Sequence, residues 1–315
     1  MLGLMSINSP VHQSFVQTLD LNFRGLTEAI AAYLIPHPGG AILIESGPGS
    51  TISALQSGLK KNGFNASDVT DVLLTHIHLD HAGASGWLAQ QGARIHVHPA
   101  GASHLLNPEK LVNSATRIYG DWMQILWGDF LPLPEDRLSV VQDGDQIDID
   151  GLHFTAIDTP GHANHHLAYI FVGICFSGDI GGVRMRGAKQ IRLPMPPPDL
   201  NLETWFLSIN KLKSAHDDGL FQYIAPTHFG IFDNVGWHLE TLLNTLQEIN
   251  GFIWQVMPTN PTVEELNNQF ITWTQERTNA AGIEAQTQDR MEVANPSWMT
   301  AQGIYRYWHK VINPS

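Results

Sequence analysis

Cysteine occurs once in 315 residues, so no disulfide can form within the chain. That residue, Cys175, stands in the apolar run "YIFVGICFSGD" with no electropositive neighbour. It is predicted to be a buried strand residue, not a nucleophile. Basic residues are scarce too. Against 30 Asp and Glu there are 17 Lys and Arg, for a net charge of -13. So acidic a surface repels phosphate backbones, and no nucleic-acid partner is expected. Apolar runs are short and broken by glycine, which argues against a bilayer span. The opening "MLGLMSINSPVHQ" lacks the basic stretch and long apolar stretch of a secretion signal. A cytoplasmic protein without a membrane segment is therefore expected. Internal repeats of roughly 20–50 residues are missing, as is a Ser-elbow motif for a serine nucleophile. No Ser/Gly-rich linker divides the chain.

What is present is the composition of a globular protein, 43% apolar and 15% charged. The length suits one large domain, or one domain with an appendage. Strand-like and helix-like segments alternate through the first part. "AAYLIPHPGGAILIESGPG" predicts two strands joined at "HPGG", and "TISALQSGLKKNGF" predicts a helix that stops at Asn62-Gly63. Further strands are expected in "VTDVLLT", "ARIHVHP", "LSVVQDGDQIDIDGLHFTAIDTPGH", "HHLAYIFVGICFSGD" and "LFQYIAPTHFG". Residues 102–137 interrupt the rhythm as an aromatic-rich helical insert. "LNLETWFLSINKLKSA" has helical spacing. Beyond about residue 234 only helical periodicity is left, and Thr262 precedes Glu265 at capping-box spacing. The division expected is a main domain over 1–234 and a helical extension over 235–315 packed on it. The aromatic insert and the helical tail are candidate surfaces for a homodimer.

Histidine is plentiful, at sixteen residues. Three of them crowd with an aspartate into "THIHLDH" at 75–81. His76 and His78 are two apart, so an extended segment points both the same way. Asp80 and His81 follow where the chain turns into a helix, and can face a second point nearby. One segment can thus feed two adjacent metal ions. Three further candidates stand just after apolar strands, in turns containing Gly or Pro: His162 in "IDTPGHANHH", Asp179 in "CFSGDIGG" and His228 in "IAPTHFG". Imidazole and carboxylate ligands suit zinc and other first-row divalent metals. His96, His98, His104, His153, His216, His238 and His309 lack such a setting and are read as surface or core residues.

These motifs together resemble those of the metallo-β-lactamase superfamily: "THIHLDH" at 75–81, "TPGHANHH" at 159–166, "SGDI" at 177–180 and "THFG" at 227–230. The resemblance spans about residues 20–232. It implies an α/β (α+β) fold, a four-layer αββα sandwich, with a dinuclear metal site at one edge. It implies that His76, His78 and His162 bind one ion, that Asp80, His81 and His228 bind the other, and that Asp179 bridges them. Two divalent ions are expected, zinc first, with iron, manganese or nickel as alternatives. Glu45 stands where many relatives carry an aspartate that supports the ligands, and His166 is a further supporting or packing residue.

The activity implied is metal-assisted hydrolysis of a small-molecule substrate, with Asp80 orienting the nucleophile and carrying a proton. An acyl bond is the first choice (lactone, thioester or related ester), as in the glyoxalase-II-like and lactonase-like branches. A phosphodiesterase or nuclease, an iron-dependent persulfide-dioxygenase-like oxidoreductase and a non-catalytic binding protein are the rivals. Tyr119, Trp122, Trp127 and Phe130 either wall an apolar pocket or pack the insert onto the sandwich. Arg184, Arg186 and Arg192 are candidates for holding a substrate anion.

Overall fold

The computed structural model describes residues 15–314. The N-terminal stretch read for a secretion signal lies outside the described residues. Two sheets form the body. The first runs β1 (Gln17–Asp20), β2 (Ala31–His37), β3 (Gly40–Ile44), β4 (Val69–Leu73), β5 (Arg94–Val97) and β6 (Leu138–Val140) in spatial order. Its first three strands pair antiparallel, and β3 to β6 pair parallel. The second holds β7 (Gln146–Ile149), β8 (Leu152–Asp158), β9 (Leu167–Phe171), β10 (Ile174–Phe176) and β11 (Tyr223–Ala225). It is antiparallel except for the β10–β11 pair.

Strand periodicity explains the layering. In β2 and β3, Tyr33, Ile35, Ile42 and Ile44 face the second sheet and meet Phe154, Tyr169 and Phe176. Their neighbours Leu34, Ala41 and Leu43 face the other way, onto helices α1 (Ile52–Lys61) and α3 (Ser85–Gln90) through Leu55, Leu59 and Leu88. Between those helices lies the single-turn helix α2 (Leu79–Ala82). Both faces of these strands are buried, so they read as unbroken apolar runs. The outer face of the second sheet presents Ile157, Ala168, Ile170, Cys175 and Ile224. Helix, sheet, sheet and helix thus stack as the αββα sandwich. Cys175 is fully buried, and burial pushes its thiol pKa up.

The insert comprises α4 (Pro99–Leu106), α5 (Glu109–Tyr119) and α6 (Met123–Trp127). It starts three residues earlier than the composition suggests, because Pro99 is well placed in a first helical turn. After α6 the chain runs without helix to the 3-10 turn at Glu135. The long α7 (Leu202–Asp217) covers the second sheet with Trp205, Ile209 and Leu212. Helices α8 (Val235–Val256), α9 (Val263–Ala280) and α11 (Ser297–Tyr307) join the same core through Leu242, Leu246, Phe270 and Ile304. The Thr262–Glu265 capping box forms as expected. One helix, α10 (Ala285–Ala294), escaped the sequence reading. It buries only Met291, so its apolar period is too sparse to signal. No described helix is long and apolar enough to cross a membrane.

Candidate metal centre

The seven residues singled out in the sequence converge at one end of both sheets. His76 and His78 follow β4 in extended chain, while Ile77 between them turns into the apolar cluster behind the first sheet. His78 keeps an extended backbone at the head of α2, which swings Asp80 and His81 round behind it. His162 follows β8, Asp179 sits in the 3-10 turn after β10, and His228 follows β11. Two close approaches require glycine. At Gly161 (φ 136°) a Cβ would lie 2.4 Å from the Trp205 Cα, so the His162 loop lies flat on α7. At Gly178 (φ 50°) a Cβ would lie 2.5 Å from Thr75 Oγ1, so the Asp179 turn seats against the β4 loop.

Two donor sets stand side by side. His78 Nδ1 lies 3.0 Å from His76 Nε2 and 2.9 Å from His162 Nε2. Asp179 Oδ1 lies 3.3 Å from both His81 Nε2 and His228 Nε2. Asp80 Oδ2 lies 3.4 Å from His81 Nε2 and 3.5 Å from His228 Nε2. Asp179 reaches both sets, because its Oδ2 is 3.3 Å from His162 Nε2. Donors held ~2.0–2.1 Å from one tetrahedral ion stand about 3.3 Å apart. The spacing therefore fits a divalent cation in each set. In the Asp80 set, His81 Nε2, His228 Nε2 and Asp179 Oδ1 are buried and face one another at ion-pair distance without a well-formed hydrogen bond. Such groups are costly unless something else satisfies them.

Three of the rings are held from behind by a hydrogen bond at Nδ1. His162 Nδ1 donates to the Pro194 carbonyl at 2.7 Å, and His228 Nδ1 to the Ala29 carbonyl at 2.7 Å. His81 Nδ1 donates to Glu45 Oε1 at 2.9 Å. These bonds commit Nδ1 of each of these rings and turn Nε2 towards the donor sets. Glu45 also accepts from Thr75 Oγ1, from the Thr75 amide and from Thr227 Oγ1. Thr75 Oγ1 in turn lies 3.1 Å from His76 Nδ1. One buried carboxylate thus braces a ring of each set. The supporting role that the resemblance implies for Glu45 is matched by this network. His166 is buried, bonded to Thr159 Oγ1 and accepting the Ile180 amide, so it holds the Asp179 turn.

The charge state differs between the sets. Burial and the neighbouring rings hold His76 and His78 well below the ordinary imidazole value, and His162 is lowered chiefly by burial. Burial opposes charge on His81 and His228 as well, but Asp80 and Asp179 overcome it. His81 is raised well above its ordinary value, and His228 to about 10. The two carboxylates are lowered, burial notwithstanding, Asp80 by His81 and His228 and Asp179 by His81, His162 and His228. One set therefore offers neutral rings, the other an anionic pair with two rings that favour the protonated form.

His78, Asp80, His162 and Asp179 open onto a cleft of about 590 Å³. Tyr119 and Trp127 line it, as expected of a pocket wall. Trp122 instead stands in solvent, 59% exposed, and Phe130 packs behind the first sheet. The arginine candidates are corrected: none of the three lines the cleft. Arg184 lies 3.8 Å over the Phe232 ring and bonds Asn234 and His238, Arg186 pairs with Glu28, and Arg192 pairs with Glu292. Two features went unread. Pro296, Trp298 and Met299 of the tail supply the far wall of the cleft. His238 of α8, read as an ordinary core residue, donates from Nε2 to the Gly181 carbonyl at 2.8 Å and accepts from Arg184 at Nδ1. It braces the Asp179 turn from outside the motifs, with no local pattern to announce it.

The family model described as the metallo-beta-lactamase superfamily matches residues 27–218, and the chain belongs to that superfamily. Among curated relatives, a metallo-beta-lactamase fold-containing protein, ST1585, of Sulfurisphaera tokodaii is 28% identical over 144 residues. That match covers 44% of this chain and 54% of the relative, so the chain spans about half of that protein's length. A hydroxyacylglutathione hydrolase of Vibrio cholerae is 27% identical over 233 residues, covering 71% of this chain and 75% of that one. Among solved structures, the metallo-beta-lactamase family protein TTHA1429 of Thermus thermophilus shares the fold, with a TM-score of 0.67 at 20% identity over 94% of each chain.

Proposed function

We propose that the chain is a dinuclear metallo-hydrolase that cleaves an acyl bond of a small substrate: a lactone, a thioester or a related ester. The observation that carries this reading is the pair of donor sets sharing Asp179 at the floor of an apolar cleft. His76, His78 and His162 would hold one ion, and Asp80, His81 and His228 the other, with Asp179 between them. Bound there, divalent ions supply Lewis acidity and make hydroxide available at neutral pH.

The chain's own residues do the rest. Asp80 is the half-buried carboxylate that faces the cleft, so it is placed to orient the attacking oxygen by accepting its hydrogen bond. Oxygen adds to the carbonyl carbon, the bond to the leaving oxygen or sulfur breaks, and the leaving group takes the proton that Asp80 carries. The products are a carboxylate and an alcohol or thiol. The apolar walls exclude bulk water, which strengthens the charge interactions at the floor. A relative named as a hydroxyacylglutathione hydrolase supports an acyl substrate. The acidic chain supports the same choice over a polynucleotide.

The test is elemental analysis of the purified protein, followed by proton release from lactones, thioesters and a chromogenic phosphodiester. About two equivalents of zinc, manganese or nickel with acyl turnover is the expected result. Phosphodiester turnover alone would move the assignment to the nuclease branch. A single iron per chain with thiol-dependent oxygen uptake would move it to the dioxygenase branch.

A further inference from the structure

The cleft has a shape and a chemistry that select among acyl compounds. Its long wall is one face of α5, where Leu111, Ala115, Ile118 and Tyr119 follow one another at helical spacing. From Leu111 to Ile118 that face runs about 10 Å at the α-helical rise. Across it stand Val293 and Met299 of the tail, with Pro196–Pro198 beside them. The walls meet where Tyr119 and Trp298 touch edge to face, with ring centroids 5.8 Å apart. Trp127 packs on the other side of Tyr119 at 5.1 Å, and Phe23 stacks on Trp127 at 5.4 Å. This aromatic chain ties the loop after β1, the insert and the tail round one trough.

The same cleft reaches His78, Asp80, His162 and Asp179, so a molecule lying in it can bring one end to the donor sets. Its cationic side chains, Arg24 and Lys110, are both exposed and belong to the rim. Between α5 and the tail a strongly polar body would meet chiefly Leu111, Ala115, Ile118, Val293 and Met299, although His104, Ser114, Asn164, His165, Asp199 and Asn295 also belong to the lining. A flexible, unbranched hydrocarbon would meet what it needs.

We infer that the cleft is an acyl-chain site: the trough between α5 and the tail takes an unbranched apolar chain of medium length, roughly eight carbons over its ~10 Å, with the scissile carbonyl at Asp80. This rests on the reading of the centre as an acyl hydrolase. Tyr119 and Trp298 are the specificity-determining pair, and the tail is part of the substrate site.

Two measurements on the zinc-loaded protein separate the inference from the reading beneath it. The first is kcat/KM for p-nitrophenyl esters of two to twelve carbons. The second is binding of the corresponding saturated carboxylates, followed by tryptophan fluorescence and independent of turnover. Both should rise about three- to fourfold per added methylene and level off near the length of the trough. Trp298→Ala should flatten the slope of both series. Ser114→Phe, at an exposed position on the cleft face of α5, should move the plateau to shorter chains, and it keeps the test open if the tryptophan variant folds poorly. Ester turnover and carboxylate binding both indifferent to chain length would overturn the acyl-chain site and leave the hydrolase intact. A rising binding series without turnover of any ester would keep the site and sink the hydrolase. A rising series unchanged in both variants would place the chain elsewhere and overturn the inference.

Discussion

Glu45 is the residue whose removal tests most of the physical account at once. It lies fully buried at the end of β3, with φ at 67°. Its carboxylate accepts from His81 Nδ1, the Thr75 amide, Thr75 Oγ1 and Thr227 Oγ1. Glu45→Ala leaves those donors in a dry interior. Hydrogen bonds to a charged group contribute ~1.5–3 kcal/mol each, but such sums are not additive. Breaking one side of a buried ion pair costs about 3–5 kcal/mol, and that figure bounds the set. Against a total stability of roughly 5–15 kcal/mol, the metal-free variant loses about a fifth or more. Glu45→Gln keeps the size and the acceptor at Oε1 but sets an amide N–H₂ against the Thr75 amide at Oε2, for a loss of about 1–3 kcal/mol. Both donor sets should weaken, because His81 is bonded directly and His76 through Thr75. A fall of about 10- to 100-fold in zinc affinity is expected for each. Urea unfolding of the metal-free protein and zinc titration against a competing chelator measure the two effects. An alanine variant with an unchanged urea midpoint and both zinc affinities intact would refute the account of how the centre is held.

Three further outcomes are expected. Asp179→Asn removes the carboxylate that touches both sets, and elemental analysis should find about one ion per chain or fewer instead of about two. Metal uptake should be unequal in protons: His81 and His228 have raised pKa values and hold protons at pH 7, whereas His76, His78 and His162 do not. Filling the Asp80 set should release about two protons from its imidazoles and the other set none, so affinity at the former rises with pH towards about 10. Calorimetry in two buffers of different ionisation enthalpy reads this, and equal release from both steps would contradict it. His238 is held down at about 3 by burial and by Arg184. In the unfolded chain it takes a proton below its ordinary value of ~6.5, so its contribution is present above that pH and is lost as pH falls towards 3. His238→Gln should make stability less dependent on pH across that window. It should also lower kcat more than it changes KM for short esters, since Asp179 loses its brace.

Much of this protein is written in short-range patterns. Unbroken apolar runs in "AAYLIPH" and "GAILI" set strands with two buried faces, and "THIHLDH" places donors on both sides of a strand-to-helix turn within seven residues. Backbone geometry over a few residues suffices for these and for the capping box at Thr262, while the sandwich was implied by the resemblance of four motifs, in which the seven candidate donors stand. The far wall of the cleft could not be read in advance. Trp298 lies 179 residues beyond Tyr119 in the chain, and their contact exists only because α8, α9 and α11 share a core with the outer face of the second sheet. His238 was passed over for the same reason, since its role depends on where the Gly181 carbonyl lies after packing. Arg184, Arg186 and Arg192 looked available for an anion, but each is bonded to or paired with a residue 50 or more positions away. A side chain's type and local period say what it is able to do. Which partner it meets is decided by the long-range burial of apolar surface, and only the folded chain contains that.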